Sequence, residues 1–281
     1  MPTPTSGKKS TGRTSKPQRV GQSVRQLLSA DDDGLILTPN LLRLLPMWDG
    51  TIDPHVAELM AKLMSTPQRD RSASFSASGS GDCLRKQELM FLGMPATVAG
   101  ITPGLRQIFM NGTWVHMRWQ AMLLTLGLLD GVETKIIKPS LRSRCSMDGI
   151  GTAQGGRYDG REFGFELKGR NDWNYNMQLR GPDEKTLRQV DFEFLLSGLE
   201  LFVIINENKN SQGWKEWVIV RDEARLDVVR EEIDELNSAI DTEQLHPMLP
   251  ECAKQLKKGK FASCPFGGPG GTCISAGNWP N

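Results

Sequence analysis

No run of apolar residues in this chain of 281 reaches the roughly 18 that a membrane-spanning helix requires. The basic residues near its N-terminus have no apolar stretch behind them, so no secretory signal is legible. The expectation is an intracellular, cytoplasmic protein with no membrane partner. An excess of charge of one sign is missing as well: 34 Lys and Arg face 33 Asp and Glu, so only the distribution of charge speaks about partners. Disulfides have little support, because the five cysteines are odd in number and come without a secretion signal. Metal binding is the use to weigh for them. No internal repeat is present.

What is there is uneven. Residues 1–29 hold Lys8, Lys9, Arg13, Lys16, Arg19 and Arg25 and no acid, among Ser, Thr, Gly and Pro, which predicts a disordered basic arm over 1–30. Apolar spacing predicts helices over Thr38–Leu45, Pro54–Met64 and Pro103–Leu129, and a further one over Cys83–Leu92 with Asp82 as its N-cap. Ser72–Gly81 reads as a connector. The texture then turns to strands, Glu133–Lys138, Ser143–Gly151 and Arg161–Gly169, followed by a helix over Asp183–Leu199. Strands at Leu201–Asn206 and Lys215–Arg221 and a charged amphipathic helix over Glu223–Ile240 complete an α/β pattern with a mixed central sheet flanked by helices. The chain divides into the arm, a helical region over 31–130, an α/β core over 131–245 and a cysteine-rich tail over 246–281. Beyond Pro247 there are too few large apolar residues for a separate core, so the tail needs a staple.

The chemistry concentrates on two strands. In Gly164-Phe165-Glu166-Leu167-Lys168-Gly169, alternation puts Glu166 and Lys168 on one face and Phe165 and Leu167 on the other, toward a core. Asp148 sits near the end of the preceding strand, and an antiparallel pairing of the two would bring two carboxylates and one ammonium together. Phosphodiester hydrolysis uses such a set: carboxylates hold Mg²⁺ or Mn²⁺, the metal activates a water, and a cation offsets developing charge. An E-x-K triplet is equally the pattern of an ordinary ion pair on a solvated strand, so order and context must decide.

Gly112-Thr113-Trp114-Val115-His116 precedes Ser146-Met147-Asp148, then Glu166-Leu167-Lys168, then Gln189. This order resembles the motif series of RecB-like nucleases in the PD-(D/E)XK superfamily: G-x-x-x-H, an Asp-bearing strand, E-x-K, then Q-x-x-x-Y. The resemblance implies metal ligation by His116, Asp148, Glu166 and the Leu167 carbonyl. It makes Asp148, Glu166, Lys168 and Gln189 the catalytic set, with Lys168 the catalytic lysine and Gln189 holding the substrate strand. Met147 stands where the family has proline, and Glu193 where it has tyrosine, so the last motif is incomplete. A histidine ligand leaves Mn²⁺ open as the preferred ion. His55 and His246 read as ordinary packed or exposed histidines.

Cys83 and the C-x11-C-x8-C series Cys252, Cys264 and Cys273 bracket the core. Their placement resembles the iron-sulfur staple of the CRISPR-associated RecB-like exonucleases, their phage relatives and AddB-type helicase-nucleases. It implies a structural [4Fe-4S] cluster, with Zn²⁺ as the competing occupant and four free thiols as the plain reading. Cys145 reads as a small core residue. Arg85, Arg118, Arg170, Lys185 and Arg188, together with Lys86 and Arg106, are candidates for a phosphate-tracking groove. Trp173 and Tyr175, in a polar loop over Asn171–Asn176, are candidates for base stacking. Nothing resembles a base-reading module, which predicts weak sequence preference. The function expected is a DNA exonuclease of recombination, repair or phage DNA processing, acting on single-stranded or end-opened DNA beside recombination or replication proteins. A phage-encoded chain would work in the host cytoplasm. The alternatives are a non-catalytic DNA-binding or assembly protein on the same fold and a site-specific endonuclease.

Overall fold

The computed structural model describes residues 34–66, 73–96, 103–178, 180–250, 252, 264–267 and 271–278; the basic arm lies outside them. The described chain opens with helices α1 (Thr38–Leu44) and α2 (Pro54–Ser65). Asp53 starts α2 by accepting the N–H groups of His55 and Val56, with proline at the first helical position. Next comes β1 (Phe75–Ser76), inside the stretch expected to be a plain connector. Two residues are too few to show alternation, which hides it from the sequence.

Helix α3 (Leu84–Phe91) has Cys83 rather than Asp82 as its N-cap. The Asp82 carboxylate faces the lysines instead, pairing with Lys86 at 2.6 Å and with Lys185. Helix α4 (Pro103–Thr125) stops short of Leu129 because the chain turns at Gly127 with φ +67°. Then follow β2 (Gly131–Lys138), β3 (Ser143–Thr152) and β4 (Glu162–Arg170). The segment expected as a polar loop is a short helix, α5 (Asp172–Met177), which Asn171 caps by accepting the Asn174 N–H. After α6 (Glu184–Ser197) come β5 (Leu201–Asn208), β6 (Trp214–Val220), α7 (Glu223–Asp241) and the single turn α8 (Thr272–Ser275).

The fold is α/β, with a mixed six-stranded sheet in the order β1-β3-β4-β5-β6 and β2 paired to β3. Strands β4 and β5 run parallel across the α6 crossover, while β3–β4 and β5–β6 are antiparallel. Every residue of β5 is buried, as expected of a strand covered on both faces. One face carries Phe163, Phe165, Leu167, Val203 and Ile205 against Val115, Trp119 and Leu123 of α4. The other carries Met147, Phe202 and Ile204 against Val190 and Phe194 of α6 and Val229 and Ile233 of α7.

A third cluster, Leu89, Leu245, Phe266 and Ala276, seats the C-terminal segments on α3. Polar contacts fix the same junction. Buried Arg85 donates to the Cys273, Gly277 and His246 carbonyls at 2.6–3.1 Å. Buried Glu88 accepts the His246 N–H at 2.9 Å and meets its imidazole Nδ1. His246 is therefore one half of a structural pair rather than an isolated histidine.

Candidate active site

The edge of β3 is paired twice, by β1 at Ser143 and Arg144 and by β4 from Gly149 to Thr152. Between them, Cys145 to Asp148 have no strand partner on that edge, so β3 and β4 splay. Continuing the β3–β4 register by one residue puts Asp148 opposite Glu166. There the Asp148 side chain replaces a ladder bond: its Oδ2 accepts the Leu167 N–H at 2.8 Å. Its Oδ1 lies 3.1 Å from His116 Nδ1 on α4. One turn along α4, Gln120 donates to the Asp148 carbonyl at 2.8 Å and to Glu133 at 3.1 Å, fixing the backbone as well.

Glu166 and Lys168 do share a face, but not a solvated one: Glu166 is 2% exposed. Lys168 Nζ sits 2.5 Å from Glu166 Oε1 and donates to Gln189 Oε1 at 2.8 Å. Gln189, reaching in from α6, donates from Nε2 to Glu166 Oε1 at 2.9 Å and to Glu193 Oε1 at 3.1 Å. The structure thus brings His116, Asp148, Glu166, Lys168 and Gln189 into one network. It adds two residues that the sequence reading left out. Gln120 stands one turn from His116 on the same side of α4. Glu193 is a fully buried acid between Phe192 and Phe194, one turn from Gln189, and both spacings are legible after the fact.

The network carries more acid than it can ionise. Burial, then the charge of Asp148, pushes Glu166 up to about 7, with Lys168 opposing. Burial, then the charge of Glu166, pushes Glu193 well above the carboxylate range. The same field acts oppositely on the bases. Burial lowers His116, but Asp148 outweighs it and the imidazole is raised. Burial lowers Lys168, but Glu166 outweighs it and the ammonium is held. One oxygen of each glutamate, Glu166 Oε2 and Glu193 Oε2, is buried with no hydrogen-bond partner. Among the described residues, no preformed group of three or more His, Cys, Asp or Glu is set as a metal cage. The donor chemistry nevertheless fits a hard divalent cation: Asp148 and Glu166 offer carboxylate oxygens, one of them orphaned, and His116 an imidazole.

The expected phosphate contacts scatter. Arg85 points inward to the tail carbonyls. Arg118 pairs with buried Glu207, Arg170 with Asp183 and with Thr186 at 3.0 Å, Lys185 with Asp82, and Arg188 with Glu232 at 2.8 Å. Arg118 and Lys185 keep exposed faces, at 50% and 58%. Trp173 is open at 73%, whereas one face of the Tyr175 ring is taken by Lys215 Nζ at 4.1 Å.

Cys83, Cys252, Cys264 and Cys273 line a single cavity of about 240 Å³ beside Asp82, Lys86 and Phe266. None of the four forms a disulfide among the described residues. Burial raises the Cys83 thiol; the Lys86 and Arg85 N–H groups oppose this, and Cys273 and Cys264 add to it. Cys145 stands apart in the second core, pushed up to about 12 by burial and then by Glu193.

No protein-family model matches the chain, and no curated protein sequence matches it. Among solved structures it is similar to an alkaline exonuclease, LHK-Exo, from Laribacter hongkongensis, with TM-score 0.45 and 14% identity over 62% of this chain and 90% of that one. It is similar to LHK-Exo in complex with dAMP, with TM-score 0.42 and 16% identity over 62% and 90%. It is also similar to SSO0001, with TM-score 0.41 and 12% identity over 64% and 84%. These likenesses are distant.

Proposed function

We propose that the chain is a divalent-metal-dependent deoxyribonuclease of the RecB-like PD-(D/E)XK type, cutting single-stranded or end-opened DNA from its ends. The observation that carries this reading is the convergence, at the β3–β4 splay, of Asp148, buried Glu166 with an orphaned oxygen, His116 and Lys168. A scaffold gains nothing from burying that set, since each carboxylate raises the free energy of ionising the next.

Mg²⁺ or Mn²⁺ held by Asp148, Glu166 and His116 would polarise the scissile phosphate and acidify a water. The remaining work belongs to the chain. Asp148 is held at both ends, by Leu167 N–H and His116 on its carboxylate and by Gln120 on its carbonyl. Lys168, kept protonated by Glu166, sets positive charge beside the phosphate oxygens as negative charge develops on them. Gln189 accepts a second hydrogen bond from that ammonium while donating to Glu166. Exposed Arg118, Lys185 and Trp173 offer backbone charge and a base-stacking face outside. Cytoplasmic work beside recombination or replication proteins suits such an enzyme.

We further propose that the four-cysteine cavity holds a structural [4Fe-4S] cluster, with Zn²⁺ as the competing occupant. Four thiols lining one pocket are the support. Anaerobically purified protein is expected to be brown, with broad absorbance near ~400 nm that bleaches on reduction. Stoichiometric zinc without iron rejects the cluster.

The enzymatic reading is tested with end-labelled linear DNA beside covalently closed circular DNA in Mg²⁺ or Mn²⁺. Metal-dependent loss of the linear substrate alone is expected. Cutting of the circle replaces the exonuclease with an endonuclease, and tight DNA binding without cleavage replaces it with a binding protein.

A further inference from the structure

Glu193 has no ion-pair partner among the described residues and lies in an apolar stretch. Phe192 and Phe194 beside it fill the second core, and Glu193 itself is 0% exposed. A carboxyl placed there costs several kcal/mol that a leucine would avoid. Its Oε1 accepts a hydrogen bond from Nε2 of Gln189, one turn back on α6.

The geometry of Gln189 shows what this contact does. A primary amide has two N–H donors and one carbonyl acceptor, and its two ends are nearly the same shape. Here both donors are used, one on Glu166 Oε1 at 2.9 Å and one on Glu193 Oε1 at 3.1 Å. The carbonyl is thereby turned to Lys168, which donates to it at 2.8 Å. Flipping the amide would turn its NH₂ to the Lys168 ammonium and its oxygen to the two glutamates, losing the Lys168 bond and both amide N–H donations. With Glu166 as the sole acceptor, one N–H would be left unsatisfied and the amide could swing away. Lys168 would then close on Glu166 alone.

We propose that Glu193 is a positioning residue that locks the amide orientation of Gln189 and, through it, keeps Lys168 shared between Gln189 and Glu166 and facing substrate. The inference rests on the nuclease reading above. Glu193 touches neither substrate nor the reacting atoms; it acts through Gln189.

The test is a double-mutant cycle on the full chain with linear DNA in saturating Mn²⁺. Glu193→Met, close in volume but without the carboxylate acceptor, is expected to lower kcat about 10- to 100-fold with KM within about 2-fold. Glu193→Gln, which keeps an acceptor oxygen, restores most of the rate. Gln189→Met with Glu193→Met together is no slower than Gln189→Met alone, because the two act as one unit. Additive losses, or a wild-type kcat in Glu193→Met, overturn the inference. Thermal melts run alongside, and Glu193→Leu replaces the methionine variant in the cycle if that variant does not fold. Wild type and Lys168→Ala separate the two levels: no metal-dependent cleavage by the wild type overturns the nuclease reading, full activity in Lys168→Ala overturns the place of Lys168 in the site, and either result takes this inference with it. Loss in Lys168→Ala with wild-type kcat in Glu193→Met overturns this inference alone.

Discussion

The scaffold and the cleft both bury glutamates, and they treat them in opposite ways. In the scaffold, Glu216 accepts the N–H groups of Ile36, Leu37 and Thr38 at the start of α1, at 2.5–2.9 Å. Glu232 collects the Gly81 N–H, the Ser80 hydroxyl, Gln87 and Arg188. Glu88 holds the main chain and ring of His246. Every one of these acids has a partner on both carboxylate oxygens. In the cleft, Glu166 and Glu193 each keep an oxygen without a partner among the described residues and are pushed toward their neutral forms, Glu166 by burial and then Asp148, Glu193 by burial and then Glu166. A buried acid that is fully satisfied holds elements together, whereas a buried acid left short of donors is poised for something that arrives later.

The largest effect that sharpens this contrast falls on the scaffold. Glu232→Ala strips partners from Arg188, Gln87 and the Gly81 N–H at once, and is expected to cost about 3–5 kcal/mol in denaturant unfolding. Replacing a cleft acid should do the opposite. Glu166→Gln removes repulsion, so its metal-free melting temperature is expected to equal or exceed that of the wild type. A Glu166→Gln protein as unstable as Glu232→Ala would erase the distinction.

A smaller effect lies in pH. Burial and then the charge of Asp148 raise Glu166 from its ordinary 4.5 to about 7 in the folded protein, so its contribution to stability is full below about 4.5 and is lost as pH rises through about 7. His116, also raised, acts in the same direction above its ordinary value. In chelator, melting should therefore show a loss on the order of 2 kcal/mol across that window. Mn²⁺ binds the ionised carboxylates and should flatten the slope. A slope of the opposite sign, or one that Mn²⁺ leaves untouched, breaks the account of the cleft.

Much of this was legible before any coordinates. Alternation puts Glu166 and Lys168 on one face of a strand, and the resemblance of the motif order to the RecB-like series is what implied that Asp148, His116 and Gln189 join them. The sheet, its flanking helices and the solitary core role of Cys145 follow from texture and composition. What the sequence hid was hidden for physical reasons. β1 is too short to alternate, and its pairing with the start of β3 is what leaves Asp148 on an open edge. Arg85 sits on the Cys83 helix between other charged residues and reads as surface, because nothing local shows that the tail will return to cover it. Glu193 appeared only as a missing tyrosine. Its burial becomes visible once α6 is laid against the sheet with Phe192 and Phe194 on the core side.

The most direct measurement is the rate of linear DNA cleavage in Mn²⁺ by the wild type beside Lys168→Ala and Glu166→Ala, with folding of each verified by melting. The account predicts metal-dependent cleavage by the wild type and losses of about 10³-fold or more in both folded variants. Cleavage that persists at the wild-type rate in both, or that proceeds undiminished in chelator, would contradict it.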